Sequence, residues 1–231
     1  MKKHGLADSM VDDLNRLVPW ASNYDGRELE EAISYLIRRE KNRRGNPDPL
    51  TGLPGYLALT QGPLLHQHLW GREYKLSVTF SGLVLDVRGM SMINDCYGHE
   101  AGNELLAGVG EIVRDLRDDA VHIRAVGDAF ATFAIADLDD GELRRWRDDL
   151  VARFDALGAR LLEGWDRVED APEACWEPNA TVAALRLTVI RPHSWHILGP
   201  LLFEEGDRAY TVARAGPTGV QERRIDLDGL P

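Results

Sequence analysis

Ser77-Val78-Thr79-Phe80-Ser81-Gly82-Leu83-Val84-Leu85-Asp86-Val87 is dense in β-branched and apolar residues and closes on a carboxylate. Such a run reads as a strand, and the elements on either side of it decide the fold. Downstream, Leu105, Leu106, Val109, Ile112, Val113 and Leu116 keep the spacing of a helix with one apolar face. Val121 to Ile135 reads as two strands around a tight turn at Val126-Gly127-Asp128-Ala129. Residues 141–162 are helical by the same spacing, 180–190 form a strand, 198–214 a helix and 220–225 a last short strand, while 50–70 read as helical ahead of the first strand. A β-α-β-β-α-β order predicts an α/β fold, a ferredoxin-like palm with a mixed central sheet flanked by helices.

Upstream, residues 1–47 read as a helical N-terminal extension and 48–231 as the main domain. Leu29, Ala32, Ile33, Leu36 and Ile37 fall on one helical stripe that begins near Asp25 and runs into Arg38-Arg39-Glu40-Lys41-Asn42-Arg43-Arg44. Cations there suit the negative end of the helix dipole; a contact for an acidic partner or a lipid surface is the alternative. Gly45-Asn46-Pro47-Asp48-Pro49 breaks the helix and marks the boundary.

With 231 residues, 44% hydrophobic and 28% charged, the chain has the balance of a globular protein with a sizeable core, which excludes wholesale disorder. No apolar run approaches the ~20 residues of a bilayer span, so a cytoplasmic location is expected. Two cysteines, Cys96 and Cys175, cannot make a disulfide framework or a cysteine-rich zinc site. The 27 Lys and Arg stand against 38 Asp and Glu, a net charge of −11, which disfavours nucleic acid as a partner. A small phosphate ligand needs only local donors and a metal, and stays open.

Two carboxylates stand out. Asp86 ends an apolar strand, where it sits at a sheet edge or costs burial energy. Asp128 lies in a Gly-containing turn between two strands. In a β-α-β-β arrangement the first strand and that hairpin are neighbours, so the two carboxylates can face each other within reach of one metal. Two oxygen ligands plus substrate phosphates are what Mg²⁺ asks for. Each also has a plain reading, as a turn residue and as a strand cap.

Asp48-Pro49-Leu50-Thr51-Gly52-Leu53-Pro54 resembles the D-x-L-T-G-L-x-N opening of GGDEF domains, the diguanylate cyclase family. Leu83-Val84-Leu85-Asp86-Val87 and Ile93-Asn94-Asp95-Cys96-Tyr97-Gly98-His99-Glu100-Ala101-Gly102-Asn103-Glu104-Leu105-Leu106 are similar to its strand and I-N-D-x-Y-G-H-x-x-G-D-x-L-L blocks. Val126-Gly127-Asp128-Ala129-Phe130 falls where the name-giving hairpin belongs, and Tyr210-Thr211-Val212-Ala213-Arg214-Ala215-Gly216 follows the closing Y-x-A-K-x-x-G. The likeness spans about residues 48–225, in order. It implies Mg²⁺ held by Asp86, Val87 and Asp128, and a purine nucleotide, GTP or ATP, bound through Ser91, Asn94, Asn103, Gly127 and Arg214. It also implies a homodimer, formed through the N-terminal helix, or a protein partner.

The departures bear on activity. Ala129 stands at the usual acidic position, so no catalytic acid is assigned; a methyl group neither ligates metal nor takes a proton, and general-base help is worth ~10²–10⁴-fold. Val126 replaces a glycine that lets the backbone approach the nucleotide. Arg88 replaces the second strand aspartate, Met90-Ser91 the phenylalanine-lysine pair, Ala213 the late lysine, and Pro217 follows Gly216 where a basic residue is common. Asn94 keeps the guanine-reading asparagine, but its aspartate partner is Asn103, whose amide, one donor and one acceptor, can pair with adenine's edge and so relaxes guanine preference, or reads no base at all. The feedback motif R-x-x-D becomes Arg117-Asp118-Asp119-Ala120. His66-Gln67-His68 and His193-Ser194-Trp195-His196 lack acidic or cysteine partners for a metal, His99 reads as a loop-ordering residue, and Trp165 and Trp176 lie in an apparent insertion. The resulting expectation is a degenerate GGDEF domain with weak or absent cyclase activity, acting as a nucleotide-binding regulatory or interaction module. The alternative is an active Mg²⁺-dependent nucleotidyltransferase of relaxed base specificity.

Overall fold

The computed structural model describes residues 47–60, 77–125, 127–175, 177, 179–190, 195–216 and 219–226. The expected helix over 25–44, His66, His68, Val126, Trp176, His193 and Pro217 lie outside these residues. In chain order the elements are α1 (Tyr56–Thr60), β1 (Ser77–Val87), α2 (Met90–Tyr97), α3 (His99–Arg114), β2 (Ala120–Arg124), β3 (Ala129–Ala134), α4 (Asp140–Gly164), β4 (Ala180–Ile190), α5 (Trp195–Ala215) and β5 (Gln221–Asp226). The strands form one mixed sheet in the order β2-β3-β1-β4-β5. Pairing is antiparallel except for the parallel β4–β5 pair. This is the expected α/β palm, with β5 added beyond β4.

Residues 50–54, expected to be helical, are not. Asp48 Oδ1 accepts from the Thr51 amide at 2.8 Å and the Thr51 hydroxyl at 2.9 Å, and these bonds hold a turn. A short polar side chain that satisfies the backbone locally competes with helix, so α1 starts only at Tyr56.

Successive residues of a strand point to opposite faces, and both faces of this sheet are covered. Leu83, Leu85, Val87, Phe130 and Ala134 pack with Ile93 of α2, Leu105 and Val109 of α3 and Leu150 and Phe154 of α4. Phe80, Ile123, Ala131, Phe133 and Leu187 pack with Leu59 of α1 and Leu198, Leu202 and Ala209 of α5. Gly82 is required where β1 crosses Phe133: a Cβ there would lie 2.3 Å from the ring. The start of α4 is fixed by a capping box, Asp139 Oδ1 accepting from the Glu142 amide at 2.8 Å and Glu142 Oε2 from the Asp139 amide at 2.9 Å. On the other face, buried Glu205 of α5 accepts from Arg223 of β5 at 3.1 Å and Arg208 at 3.0 Å, tying helix to strand. The Cys96 and Cys175 thiols donate to the Ala174 and Pro172 carbonyls at 3.9 and 3.5 Å. Among the described residues, no helix is long and apolar enough to cross a membrane.

Candidate functional site

Asp86 is not at a sheet edge. It lies on the central strand β1, between Ala129 of β3 and Thr181 of β4. Phe80 and Val84, on the same parity, point toward α5, so the Asp86 carboxylate does too. A half-buried carboxylate needs a donor; the Tyr210 hydroxyl of α5 donates to Asp86 Oδ2 at 2.7 Å.

Asp128 is held at the same end of the sheet by the β2–β3 turn. The Ala125 amide donates to the Ala129 carbonyl at 2.8 Å and closes the loop, and the Val87 amide donates to the Asp128 carbonyl at 3.2 Å. Gly127 takes the turn at φ +61°, a left-handed conformation natural to glycine. From the other face, Arg124 Nε and Nη2 donate to the Gly127 carbonyl at 2.8 and 2.6 Å, and Nη1 donates to Asp48 Oδ1 at 2.9 Å. One guanidinium therefore fixes the hairpin tip to the turn at Asp48. Val87 offers this site backbone only, because its side chain is buried among the α2–α4 packing.

Electrostatics reflect this convergence. The Asp128 carboxyl is pushed up, by burial first and then by the negative charge of Asp86, against its own backbone hydrogen bond and Arg124. Burial and the bond to Asp86 likewise raise the Tyr210 phenol, while the positive charges of Arg214 and Arg88 pull it down. Two guanidinium groups thus act on the region beside the carboxylates.

Asp86, Asp128, Asp207 and Tyr210 line a cleft of about 340 Å³ whose walls include Val84, Ala129, Ala131, Phe133, Leu202 and Phe203. Ala129, directly across the ladder from Asp86, contributes only a methyl. Among the described residues no group of three His, Cys, Asp or Glu side chains could hold a metal ion. Two mutually repelling hard-oxygen donors without a third fit Mg²⁺, which keeps waters and takes the rest of its shell from phosphates. They do not fit a structural zinc or calcium cage.

The other expected residues lie elsewhere. Asn94 is on α2, against α3, where a Cβ on Gly102 would come within 2.3 Å of its Oδ1. Asn103 is exposed on α3, and Ser91 is exposed in the first turn of α2. These helices pack on the sheet face away from the Asp86 side chain. Arg214 is exposed near the end of α5. Arg117 of the altered feedback motif is engaged internally: Nε and Nη2 donate to Asp119 at 2.8 Å each, and the guanidinium lies 5.2 Å from the Trp146 ring centre. His99 is exposed at the start of α3. Trp165 packs at a tilt against Tyr97, ring centres 5.4 Å apart, and its Nε1 donates to Glu104 at 2.8 Å, which seats the start of the insertion on α2 and α3.

Sequence reading missed the cleft wall on α5. Phe203, Gly206, Asp207 and Tyr210 recur at i, i+3, i+4 and i+7, one helical face, and that spacing was the available signal. The Tyr210–Asp86 bond joins residues 124 apart and has no local signature.

Residues 46–154 match the family described as diguanylate cyclase, GGDEF domain. The diguanylate cyclase DgcP of Pseudomonas aeruginosa is 26% identical over 211 residues, which cover 87% of this chain and 27% of that protein. The chain thus spans about a quarter of the length of that curated relative. The crystal structure of the diguanylate cyclase SiaD of P. aeruginosa, in complex with its activator SiaC, is similar with a TM-score of 0.55 at 17% identity, over 96% of this chain and 75% of that one. The S helix-GGDEF-EAL portion of Vibrio cholerae LapD, bound to c-di-GMP, gives 0.54 at 14% identity, over 84% of this chain and 40% of that one. At these identities the structural likeness speaks to the fold.

Proposed function

We propose that the region whose residues 46–154 match the diguanylate cyclase GGDEF family binds a purine nucleoside triphosphate with Mg²⁺, turns it over weakly or not at all, and works as a nucleotide-responsive regulatory or interaction module. One observation carries the reading. Ala129 pairs with Asp86 across the ladder and lines the cleft beside Asp86 and Asp128. The methyl stands where an acid would take the proton of an attacking 3′-hydroxyl, and general-base help of ~10²–10⁴-fold is lost with it.

The remaining groups serve binding. Asp86 and Asp128 hold the cation, which when bound neutralises phosphate charge and makes the α-phosphorus a better electrophile. Arg88 and Arg214 set positive charge beside them, and guanidinium groups suit phosphate oxygens. For Asn94 and Asn103, on the helices of the opposite sheet face, to meet the purine edge, the nucleotide must reach from Asp86 and Asp128 around the end of β1; two amides, each donor and acceptor, then relax the choice between guanine and adenine.

Purified protein incubated with GTP, ATP and Mg²⁺ is expected to yield no cyclic dinucleotide by mass spectrometry, while calorimetry detects Mg²⁺-dependent nucleotide binding. Ala129→Glu is expected to raise product above the wild-type level. Clear wild-type turnover overturns the reading. It would support a second one, favoured by the retained carboxylate pair: an active nucleotidyltransferase of relaxed base specificity, in which two chains, each holding one nucleotide, face each other.

A further inference from the structure

We propose that Tyr210 is a positioning residue for the divalent cation, acting through Asp86. The inference rests on the metal reading above and assigns a residue that reading does not use. The Tyr210 hydroxyl donates to Asp86 Oδ2 at 2.7 Å. A carboxylate at the end of a strand rotates about its terminal torsion with little resistance, so one short hydrogen bond fixes the plane in which its other oxygen is presented. A phenol does this as a neutral donor: it orients the carboxylate without cancelling the charge a cation needs. Arg88 and Arg214, the cations acting on Tyr210, would orient Asp86 only at the cost of competing with the metal.

The approach of α5 to β1 sets that bond. Gly206, one turn before Tyr210, faces Val84, and a Cβ there would sit 3.2 Å from Val84 Cγ2. Val84 and Asp86 are alternate residues on the same face of β1, so the turn that carries Tyr210 arrives over Asp86. On the preceding turn, Phe203 packs edge-on against Tyr56 of α1 at 4.4 Å, and this contact fixes the helix from its outer side. Hydrogen-bond partners of metal-ligating carboxylates orient the ligand, and their loss typically costs 10–100-fold in metal affinity.

The test uses Mn²⁺ alone, without nucleotide, titrated into the full chain and followed by electron paramagnetic resonance of the free ion. Wild type is expected to bind, Asp86→Ala to lose binding, and Tyr210→Phe, which keeps the ring and its packing, to bind about 10–100-fold more weakly. Titration with Mg²⁺ provides a second readout: a tyrosine ultraviolet difference spectrum in wild type that Tyr210→Phe lacks. Thermal melting followed by circular dichroism checks that the folded state survives, and Gly206→Ala, whose Cβ makes Val84 or α5 give by a few tenths of an ångström, is expected to weaken Mn²⁺ binding without removing the hydroxyl. Equal or tighter binding by Tyr210→Phe overturns the positioning role while leaving the metal reading intact. No binding by wild type overturns both.

Discussion

The two faces of the sheet differ in how they are filled. On the α2–α4 face, Leu83, Leu85, Phe130, Leu105, Leu150 and Phe154 are each 1% exposed or less, and the packing continues to the strand ends. On the α5 face, Phe80, Ile123, Phe133 and Leu202 are as well buried. Toward the end of β1, however, Ala129 and Ala131 meet Val84, Phe203 and Tyr210 around an open cleft with carboxylates at its rim. Large side chains hold one face closed, and small ones leave an open cleft on the other. Core stability and the proposed binding site are therefore separable, and substitutions on the two faces should have different consequences.

The largest contrast is expected from ring removal. Phe154→Ala on the closed face should cost about 3–5 kcal/mol, since it leaves a cavity in a packed core. Phe203→Ala on the open face should cost clearly less, because Phe203 is only partly buried and loses chiefly its edge contact with Tyr56, worth about 0.5–1.5 kcal/mol beyond area. Urea unfolding of both variants measures the difference, and similar losses would break the comparison.

Next in size is the clamp that fixes the hairpin tip from the closed face. Burial pushes the Asp48 carboxyl up, but the bonds from Arg124 and Thr51 outweigh it and hold the group below its ordinary 3.8. A depressed folded-state value means that the contribution is full above the unfolded value. It is lost as pH falls through the folded one. Asp48→Asn should therefore cost roughly 1.5–3 kcal/mol at neutral pH, and the gap to wild type should shrink below about pH 4. Melting temperatures across that range test it, and a gap independent of pH would remove the ion pair from the account. The smallest effect is expected from Asp139→Ala, which removes one half of the α4 capping box and should cost about 1 kcal/mol by chemical denaturation, with Mn²⁺ binding at the open face unchanged.

Much of this was legible in the chain itself. Every strand of the sheet lies within a residue or two of its predicted span, because the runs at 77–87, 121–135 and 180–190 alternate or concentrate apolar residues between clear turn signals. The turn at 50–54 was read as part of a helix over 50–70, because the side-chain bonds of Asp48 that redirect the backbone are not visible as periodicity. For Asp86 the sequence left two readings open, a sheet edge or a carboxylate that costs burial energy, and the pairing of β1 between β3 and β4 rules out the edge.

By itself, the sequence determined the order of elements and the sheet neighbours that bring Asp86 near the hairpin. These follow from local pattern and from the few ways a β-α-β-β-α-β chain can be wound. Tertiary structure alone decided that the Asp86 side chain turns toward α5 rather than α3, that Arg124 ties Gly127 to Asp48, and that a hydroxyl 124 residues away completes its environment. Strand parity, helix approach and the packing of small against large side chains fix those relations. They act between residues that no stretch of sequence holds together.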